Sequence, residues 1–145
     1  MPVGPVSMAI MVYCDGLCEP INPNGIATLG FVIYRDGIKL HEGSGMLGEG
    51  DGMSNNLAEY EVLCKAIKYL MDNAMTKEEV TIKSDSKLLV NQMNRKWKVR
   101  KGLYVKKHHE ARSLIASFSS VNFQWVPREQ NIEADALCRK TYESY

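Results

Sequence analysis

The feature that most constrains the fold is an uninterrupted apolar run of seven residues, Met8 to Cys14. Because its odd and even positions are both apolar, a strand built from it is covered on both faces and belongs inside a sheet. It is too short to cross a membrane, which takes about 20 residues of helix. The Asp15-Gly16 pair then ends a strand predicted over residues 7–14. The sequence therefore predicts a central strand that delivers an acid to the edge of a sheet.

Turn signals and apolar spacing divide the rest of the chain. Further strands are predicted at 27–35, 38–42, 80–83 and 121–125, and helices at 55–71, 85–93, 104–117 and 132–142. Asp36-Gly37 is a hairpin signal, and residues 43–54 read as a glycine-rich loop. In strand 38–42 the alternation places Ile38 and Leu40 inward. Asn55 or Asn56 and Asn131 are the expected helix caps.

The order of these elements predicts the sheet. The first three strands are joined by short loops and should be antiparallel, and the long helix makes the fourth strand parallel to the first or the third. The first needs a second neighbour and the third looks like an edge, so we expect the order 3-2-1-4-5. With 45% apolar and 24% charged residues, this describes one α/β domain over residues 1–145. It has a five-stranded mixed sheet with helices on both faces.

Four acids are predicted to meet at one end of this sheet. Asp15 and Asp85 end neighbouring strands at the reversal of winding, where open α/β sheets place their sites. Glu59 and Asp135 lie in the predicted first turns of two helices. Each acid alone fits a turn, a cap or a helix dipole. Together they repel unless cations neutralise them, and carboxylates suit Mg²⁺ or Mn²⁺. Two such ions can clamp a phosphodiester, and substrate phosphate can complete their coordination.

A basic block suggests the partner. The whole chain has a net charge of +1, but residues 86–109 hold eight Lys and Arg and no acid. Lys96, Trp97, Lys98 and Arg100 interleave an aromatic ring with cations, which favours contact with a phosphate backbone. The alternative is a solvated face with Trp97 in the core. Contact with phosphates predicts affinity that falls steeply with salt.

The remaining reactive residues predict no further chemistry. His108 and His109 lie among lysines and are expected on an exposed helix face. The four cysteines lack zinc-site spacing, so free buried thiols are expected. A Cys64–Cys138 disulfide is the alternative for a hyperthermophilic source. No secretory signal is visible, so we expect a cytoplasmic monomer with no membrane partner.

Four motifs resemble those of a known family. They are Tyr13-Cys14-Asp15-Gly16 with Asn22-Pro23, Ser54-Asn55-Asn56-Leu57-Ala58-Glu59, Lys83-Ser84-Asp85-Ser86, and Asn131-Ile132-Glu133-Ala134-Asp135. Their acids, separated by 44, 26 and 50 residues, match the order found in type 1 ribonuclease H. The resemblance covers about residues 7–142. Residues 15–20 and the loop 126–129 are similar to the compact archaeal branch.

The resemblance implies a metal-dependent endonuclease that hydrolyses the RNA strand of RNA–DNA hybrids to 5′-phosphate and 3′-hydroxyl products. It implies two Mg²⁺ ions, with Mn²⁺ as a substitute, on the four acids Asp15, Glu59, Asp85 and Asp135. It also implies contacts to ribose 2′-hydroxyls from Glu59 and from the backbone of Gly16, Leu17 and Cys18. Further nucleic-acid contacts fall on Asn22, Asn55 and Asn56. The 2′-hydroxyl is the group that distinguishes the RNA strand from DNA.

Two departures from the family pattern change the expected contacts. Many members carry a mobile His before the last helix, whereas residues 127–130 here contain none. Arg128 can contact phosphate there, but it cannot act as a base near neutral pH. Lys87 replaces a common Gln after the Asp-Ser pair, so a phosphate charge contact is expected. Two other functions remain open: a hybrid-binding module without chemistry, and another two-metal nuclease of this fold.

Overall fold

The structure is a computed structural model, and it describes residues 9–145. Residues 7 and 8 of the predicted first strand lie outside the described residues. The strands are β1 (Ala9–Glu19), β2 (Ile26–Arg35), β3 (Ile38–Glu49), β4 (Glu79–Ser84) and β5 (Ser120–Trp125). The helices are α1 (Asn55–Asp72), α2 (Lys87–Met93), α3 (Val105–Ile115) and α4 (Ile132–Glu143), with a 3-10 turn at Arg128–Gln130. The strand order β3-β2-β1-β4-β5 confirms the predicted sheet.

The central strand continues past its predicted end. β1 pairs antiparallel with β2 as far as Glu19↔Ile26, but it pairs parallel with β4 only as far as Cys14↔Ser84. The reason is that β4 ends where Ser86 begins the next helix. Residues 15–19 of β1 are therefore paired with β2 alone. Beyond the end of β4, their other backbone edge has no strand partner.

Helices cover both faces of the sheet, as predicted. A Cβ atom on Gly16 would lie 2.7 Å from the backbone of Ala58 in α1, whereas one on Gly30 would lie 2.7 Å from the Ala134 carbonyl oxygen in α4. Gly30 pairs with Asp15, the neighbour of Gly16, so these two glycines point to opposite faces. The α1 face carries the apolar core, and Ile10 is fully buried there.

The third strand differs from its prediction in length and in face. β3 continues to Glu49, so most of the predicted glycine-rich loop is strand. Ile38 is 70% exposed, and His41 instead stacks on Tyr69 with ring centroids 4.0 Å apart. The cause is a bulge: Ile33 pairs with His41, but the next residue of β2 pairs with Lys39, which leaves Leu40 as the extra residue. The bulge places His41 on the inward face and leaves Leu40 exposed, whereas Ile38 is exposed at the hairpin end of the strand, where it pairs with Arg35.

Serines, not asparagines or acids, cap the two helices nearest the end of the sheet. The Ser54 hydroxyl accepts a hydrogen bond from the Leu57 amide at 3.1 Å, so the prediction of Asn55 or Asn56 as the cap is wrong. The Ser86 hydroxyl accepts from the Leu89 amide at 3.1 Å. Asp85 is therefore not the cap of α2, and its carboxylate is free for another role.

Buried thiols and a buried imidazole complete the core. All four cysteines are free and buried, so the Cys64–Cys138 disulfide is wrong. The Cys64 thiol donates to the Lys107 carbonyl, whereas that of Cys138 donates to the Asp15 carbonyl. His108 is buried, against the prediction of an exposed face. Among residues 9–145, no helix has the length and apolar character that a membrane crossing requires.

Candidate active site

The structure brings the four predicted acids together at the carboxyl ends of β1 and β4. Asp15 is only 4% exposed. Burial, together with the negative charges of Asp85, Asp135 and Glu59, raises the pKa of Asp15 to about 9. Since charges act on a buried carboxyl mainly at short range, Asp15 is the centre of the cluster.

The surrounding acids feel the same repulsion. Burial raises the pKa of Glu59 to about 7, with a contribution from Asp85, although a hydrogen bond with Ser86 opposes the shift. Burial and the charge of Asp135 raise the pKa of Asp85, and the guanidinium of Arg128 opposes them. The protein's own cation and hydroxyl therefore do not neutralise the cluster, which leaves it electrostatically suited to added positive charge.

Two bare oxygens test whether a divalent cation fits. Asp15 Oδ1 accepts from the Gly16 amide at 3.0 Å, and Asp135 Oδ2 accepts from Arg139 Nε at 3.1 Å. The other oxygens, Asp15 Oδ2 and Asp135 Oδ1, are buried and accept no hydrogen bond from any N–H or hydroxyl group within residues 9–145, although the two carboxyls lie within reach of each other. Buried acceptors are rarely left unpaired, and carboxylate oxygens are the ligands of Mg²⁺. The donor set therefore fits a hard cation.

Protein ligands alone do not complete such a site. Across the described part of the chain, no group of three or more His, Cys, Asp or Glu side chains forms a ready-made metal site. Mg²⁺ commonly keeps several waters and uses one or two carboxylates plus substrate phosphates. The arrangement is consistent with coordination that is completed by water and a bound phosphodiester.

Close backbone packing sets the positions of Glu59 and Asp135. Because Gly16 has no side chain, β1 approaches α1 so closely that a Cβ there would lie 2.7 Å from the Glu59 nitrogen. On the other face, the Asn131 side-chain amide donates to the Cys14 carbonyl at 2.8 Å. Asn131 stands at the cap position of α4 but makes no side-chain cap bond. It instead ties the helix that carries Asp135 to the end of β1.

Trp125 is a site residue that the sequence analysis treated only as part of a strand. Its indole Nε1 donates to the Asp85 carbonyl at 3.1 Å, and the Lys87 ammonium lies 5.1 Å from the centroid of its ring. The ring thus links an acid to the lysine that follows it. Nothing in the alternating pattern of β5 distinguishes Trp125 from an ordinary strand residue. Lys87 and Arg128 are both exposed at this edge.

The predicted ribose-reading residues surround the start of α1. Asn22 is exposed, and its Oδ1 accepts from the Asn55 amide at 3.0 Å, while Asn55 and Asn56 are half-buried. The side chains of Leu17 and Cys18 are buried. Gly16, Leu17 and Cys18 are all buried residues, so their side chains offer no surface to a ligand, and β4 does not pair with this stretch of backbone.

The basic block forms an exposed rim beside these loops. Trp97 is 48% exposed, so its placement in the core is wrong, and Lys96, Lys98 and Arg100 are exposed with it. The rim adjoins the β3–α1 turn, since a Cβ on Gly52 would lie 3.2 Å from Leu103. That turn is joined to the β1–β2 loop by the bond from the Asn24 amide to the Met53 carbonyl at 2.8 Å. One continuous surface thus runs from Asn22 to the basic block.

The fold and this acid cluster define a class: an α/β domain with clustered carboxylates where its two central parallel strands stop pairing. The profile of the family described as "Reverse transcriptase-like" matches residues 14–141. The solved N-terminal RNase H domain of Rv2228c from Mycobacterium tuberculosis is 29% identical, with a TM-score of 0.85, covering 95% of this chain and 96% of that chain. RNase H1 from Halobacterium salinarum NRC-1 is 28% identical, with a TM-score of 0.84, covering 94% and 99%.

LC11-RNase H1, solved in complex with an RNA/DNA hybrid, is 32% identical with a TM-score of 0.85, covering 93% of this chain and 97% of that chain. The chain belongs to the type 1 ribonuclease H family of enzymes. The curated Bifunctional protein Rv2228c of Mycobacterium tuberculosis is 34% identical over 139 residues, which are 94% of this chain and 36% of that protein. The chain therefore spans about a third of the length of that curated relative.

Proposed function

We propose that this chain is a metal-dependent endoribonuclease that hydrolyses the RNA strand of RNA–DNA hybrids and leaves 5′-phosphate and 3′-hydroxyl ends. The observation that carries the proposal is the buried carboxylate of Asp15, whose Oδ2 accepts no N–H or O–H hydrogen bond from the described residues and which is surrounded by three other acids. Family membership and the hybrid bound to the similar LC11-RNase H1 support the substrate class. In this proposal Asp15, Glu59, Asp85 and Asp135 hold two Mg²⁺ ions, for which Mn²⁺ can substitute.

The acids and the metals have separate tasks. When bound, two ions of this kind supply water activation and charge neutralisation at the leaving oxygen of a phosphodiester. The protein's contribution is to fix the carboxylates before the substrate arrives. Gly16 holds α1 close to β1, Asn131 holds α4 to β1, and Trp125 holds the Asp85 backbone. Such preorganisation avoids reorganisation at the moment of reaction.

In this proposal, sugar recognition uses the backbone of β1 that lacks a strand partner beyond the end of β4. The 2′-hydroxyl both donates and accepts, and it faces the wide minor groove of an A-form-like duplex. Backbone groups of residues 16–18 and the amides of Asn22, Asn55 and Asn56 provide complementary donors and acceptors. Lys87, Arg128, Lys96, Lys98 and Arg100 meet phosphates, with Trp97 against a sugar of the DNA strand.

The proton path uses no histidine from the loop before α4. Residues 127–130 contain Pro, Arg, Glu and Gln. Arg128 is exposed and its charge reaches Asp85. A guanidinium remains protonated, so Arg128 attracts phosphate and does not transfer the proton. In this proposal the leaving oxygen therefore takes its proton from solvent.

A substrate panel tests the proposal. End-labelled RNA–DNA hybrid, duplex DNA, duplex RNA and a four-way DNA junction are each incubated with the chain in Mg²⁺ and, separately, in EDTA. We expect Mg²⁺-dependent cleavage of the hybrid's RNA strand, and loss of cleavage in Asp15→Asn with hybrid binding retained. A hybrid that is bound but stays intact in Mg²⁺ would show a binding module. Preferred cleavage of an all-DNA substrate would show a different two-metal nuclease.

A further inference from the structure

A buried amide lies beneath the basic block. Gln92 in α2 is 2% exposed, yet its whole side chain is hydrogen-bonded. Its Oε1 accepts from the Tyr60 hydroxyl at 2.7 Å, and its Nε2 donates to the Lys98 carbonyl at 3.2 Å and to the Tyr104 hydroxyl at 3.1 Å. One side chain thereby connects three separate parts of the chain.

The network extends into α3 and is closed off from solvent. The Tyr60 hydroxyl also lies 3.1 Å from Nδ1 of the buried His108. Arg112 donates to the backbone carbonyls of Gln92 and Met93 at 2.9 and 2.7 Å, at the end of α2. Helices α1, α2 and α3 are therefore joined through buried polar contacts as well as through the apolar core.

The segment that these contacts hold also packs against the core through Val99. Residues 95–104 lie between α2 and α3 in neither helix nor strand. Its first turn is held by bonds from the Lys96 and Trp97 amides to the Asn91 carbonyl, at 2.8 and 3.2 Å. Beyond that turn, the Gln92 side-chain amide donates hydrogen bonds to the Lys98 carbonyl and to the Tyr104 hydroxyl at the far end of the segment. Lys96, Trp97, Lys98 and Arg100 remain exposed, whereas Val99 is half-buried.

The other end of the network leads to the acids. Tyr60 is fully buried and directly follows Glu59 in α1. The distance between the basic block and the acid cluster is thus spanned by two side chains, Tyr60 and Gln92. An apolar side chain of similar volume can give equal stability at a buried site, whereas a fully satisfied polar network selects one arrangement.

We propose that Gln92 is a positioning residue for the nucleic-acid substrate. It fixes the basic segment at one distance from the acid cluster, so that phosphates bound by Lys96, Lys98 and Arg100 align the hybrid for cleavage. This inference rests on the proposed function. It assigns a role to a residue that touches neither metal nor substrate.

The test is Gln92→Met, which keeps the volume and removes all three side-chain hydrogen bonds. We expect the KM for hybrid to rise at least about fivefold, with kcat at saturating hybrid within about twofold of the parent. The slope of log affinity against log salt should become shallower by about 1, because fewer phosphates are held at once. A purely structural role would lower the melting temperature and leave the salt slope unchanged.

Tyr104→Phe is the second variant, because it removes one acceptor of Nε2 and keeps the ring that stacks on Tyr60 at 5.6 Å. It should raise KM by a smaller factor in the same direction, even if Gln92→Met fails to fold. Unchanged KM and salt slope in both folded variants, or in Tyr104→Phe alone, would overturn the inference. Absence of hybrid cleavage by the parent chain would instead refute the proposed function.

Discussion

The buried position of Asp15 predicts a specific pH dependence of stability in the absence of metal. Its pKa rises from an ordinary value of 3.8 to about 9 in the folded protein. Between these values the folded state keeps a proton that the unfolded state has lost. The free energy of unfolding contributed by this group is therefore highest below pH 3.8 and falls as pH rises towards 9, by up to about 1.36 kcal/mol per pH unit.

Asp15→Asn removes this titration and keeps a side chain of the same shape. Between pH 6 and 8 the parent should lose stability relative to the variant, by up to roughly 3 kcal/mol at the maximal slope. Other groups titrate in this range, since burial raises the pKa of Glu59 and lowers that of His108. Both groups are present in the two proteins, and the Asn side chain is neutral like the protonated Asp15, so their contributions largely cancel in the difference.

Urea unfolding of the parent and the Asn variant at pH 6, 7 and 8 in EDTA measures this difference directly. We expect the variant to be the more stable protein, by a margin that grows with pH. Saturating Mg²⁺ should shrink the margin, because a cation that binds the folded parent stabilises it. Parallel pH profiles in EDTA would refute the account of a buried, mutually repelling acid cluster.

Three further substitutions test separate parts of the site. Gly16→Ala should lower the free energy of unfolding by about 1–3 kcal/mol and reduce hybrid cleavage, because the added Cβ would lie 2.7 Å from the backbone of α1. Gly45→Ala is the control: its Cβ would have nothing within 4 Å, so stability and activity should be retained. Trp125→Phe loses the indole hydrogen bond to the end of β4 and keeps a ring, so steady-state kinetics should show kcat lower by about fivefold at unchanged KM. Lys96→Ala should make the salt slope of hybrid binding shallower by about 0.9, whereas Lys77→Ala, an exposed lysine just before β4 at the opposite end of the sheet, should not change it.

The sheet and the acids were predictable because each depends on strong local signals. An apolar run with no polar face fixes β1 in the interior, and the crossover through α1 then leaves one neighbour position for β4. Asp15 and Asp85 follow from where the pairing of those two strands ends, although β1 itself continues to Glu19. The same logic fails for the length of β3, because its glycines pair with β2 in spite of their weak strand preference.

The errors share a physical cause: the deciding partner lies outside the segment whose pattern was used for the prediction. Ser54, Asn55 and Asn56 can each cap a helix. Ser54 is the cap, and the Asn55 amide donates instead to the side chain of Asn22, which is 33 residues away in sequence. His108 reads as a surface residue from its lysine neighbours, but Tyr60 on another helix supplies its buried partner. The bulge at Leu40 likewise depends on pairing with β2 and has no signature within residues 38–42.

The unequal lengths of β1 and β4 have a consequence for engineering. The groups that lack a strand partner where β1 continues past β4 belong to the main chain. Every amino acid except proline presents the same amide and carbonyl there. Exchanging the side chains of Leu17 and Cys18 for others that keep the core packed should therefore leave this part of the proposed sugar discrimination in place, whereas Gly16 has no room for a Cβ. A version of the enzyme with altered preference for ribose over deoxyribose calls for lengthening β4 or shortening β1, so that the two strands end level.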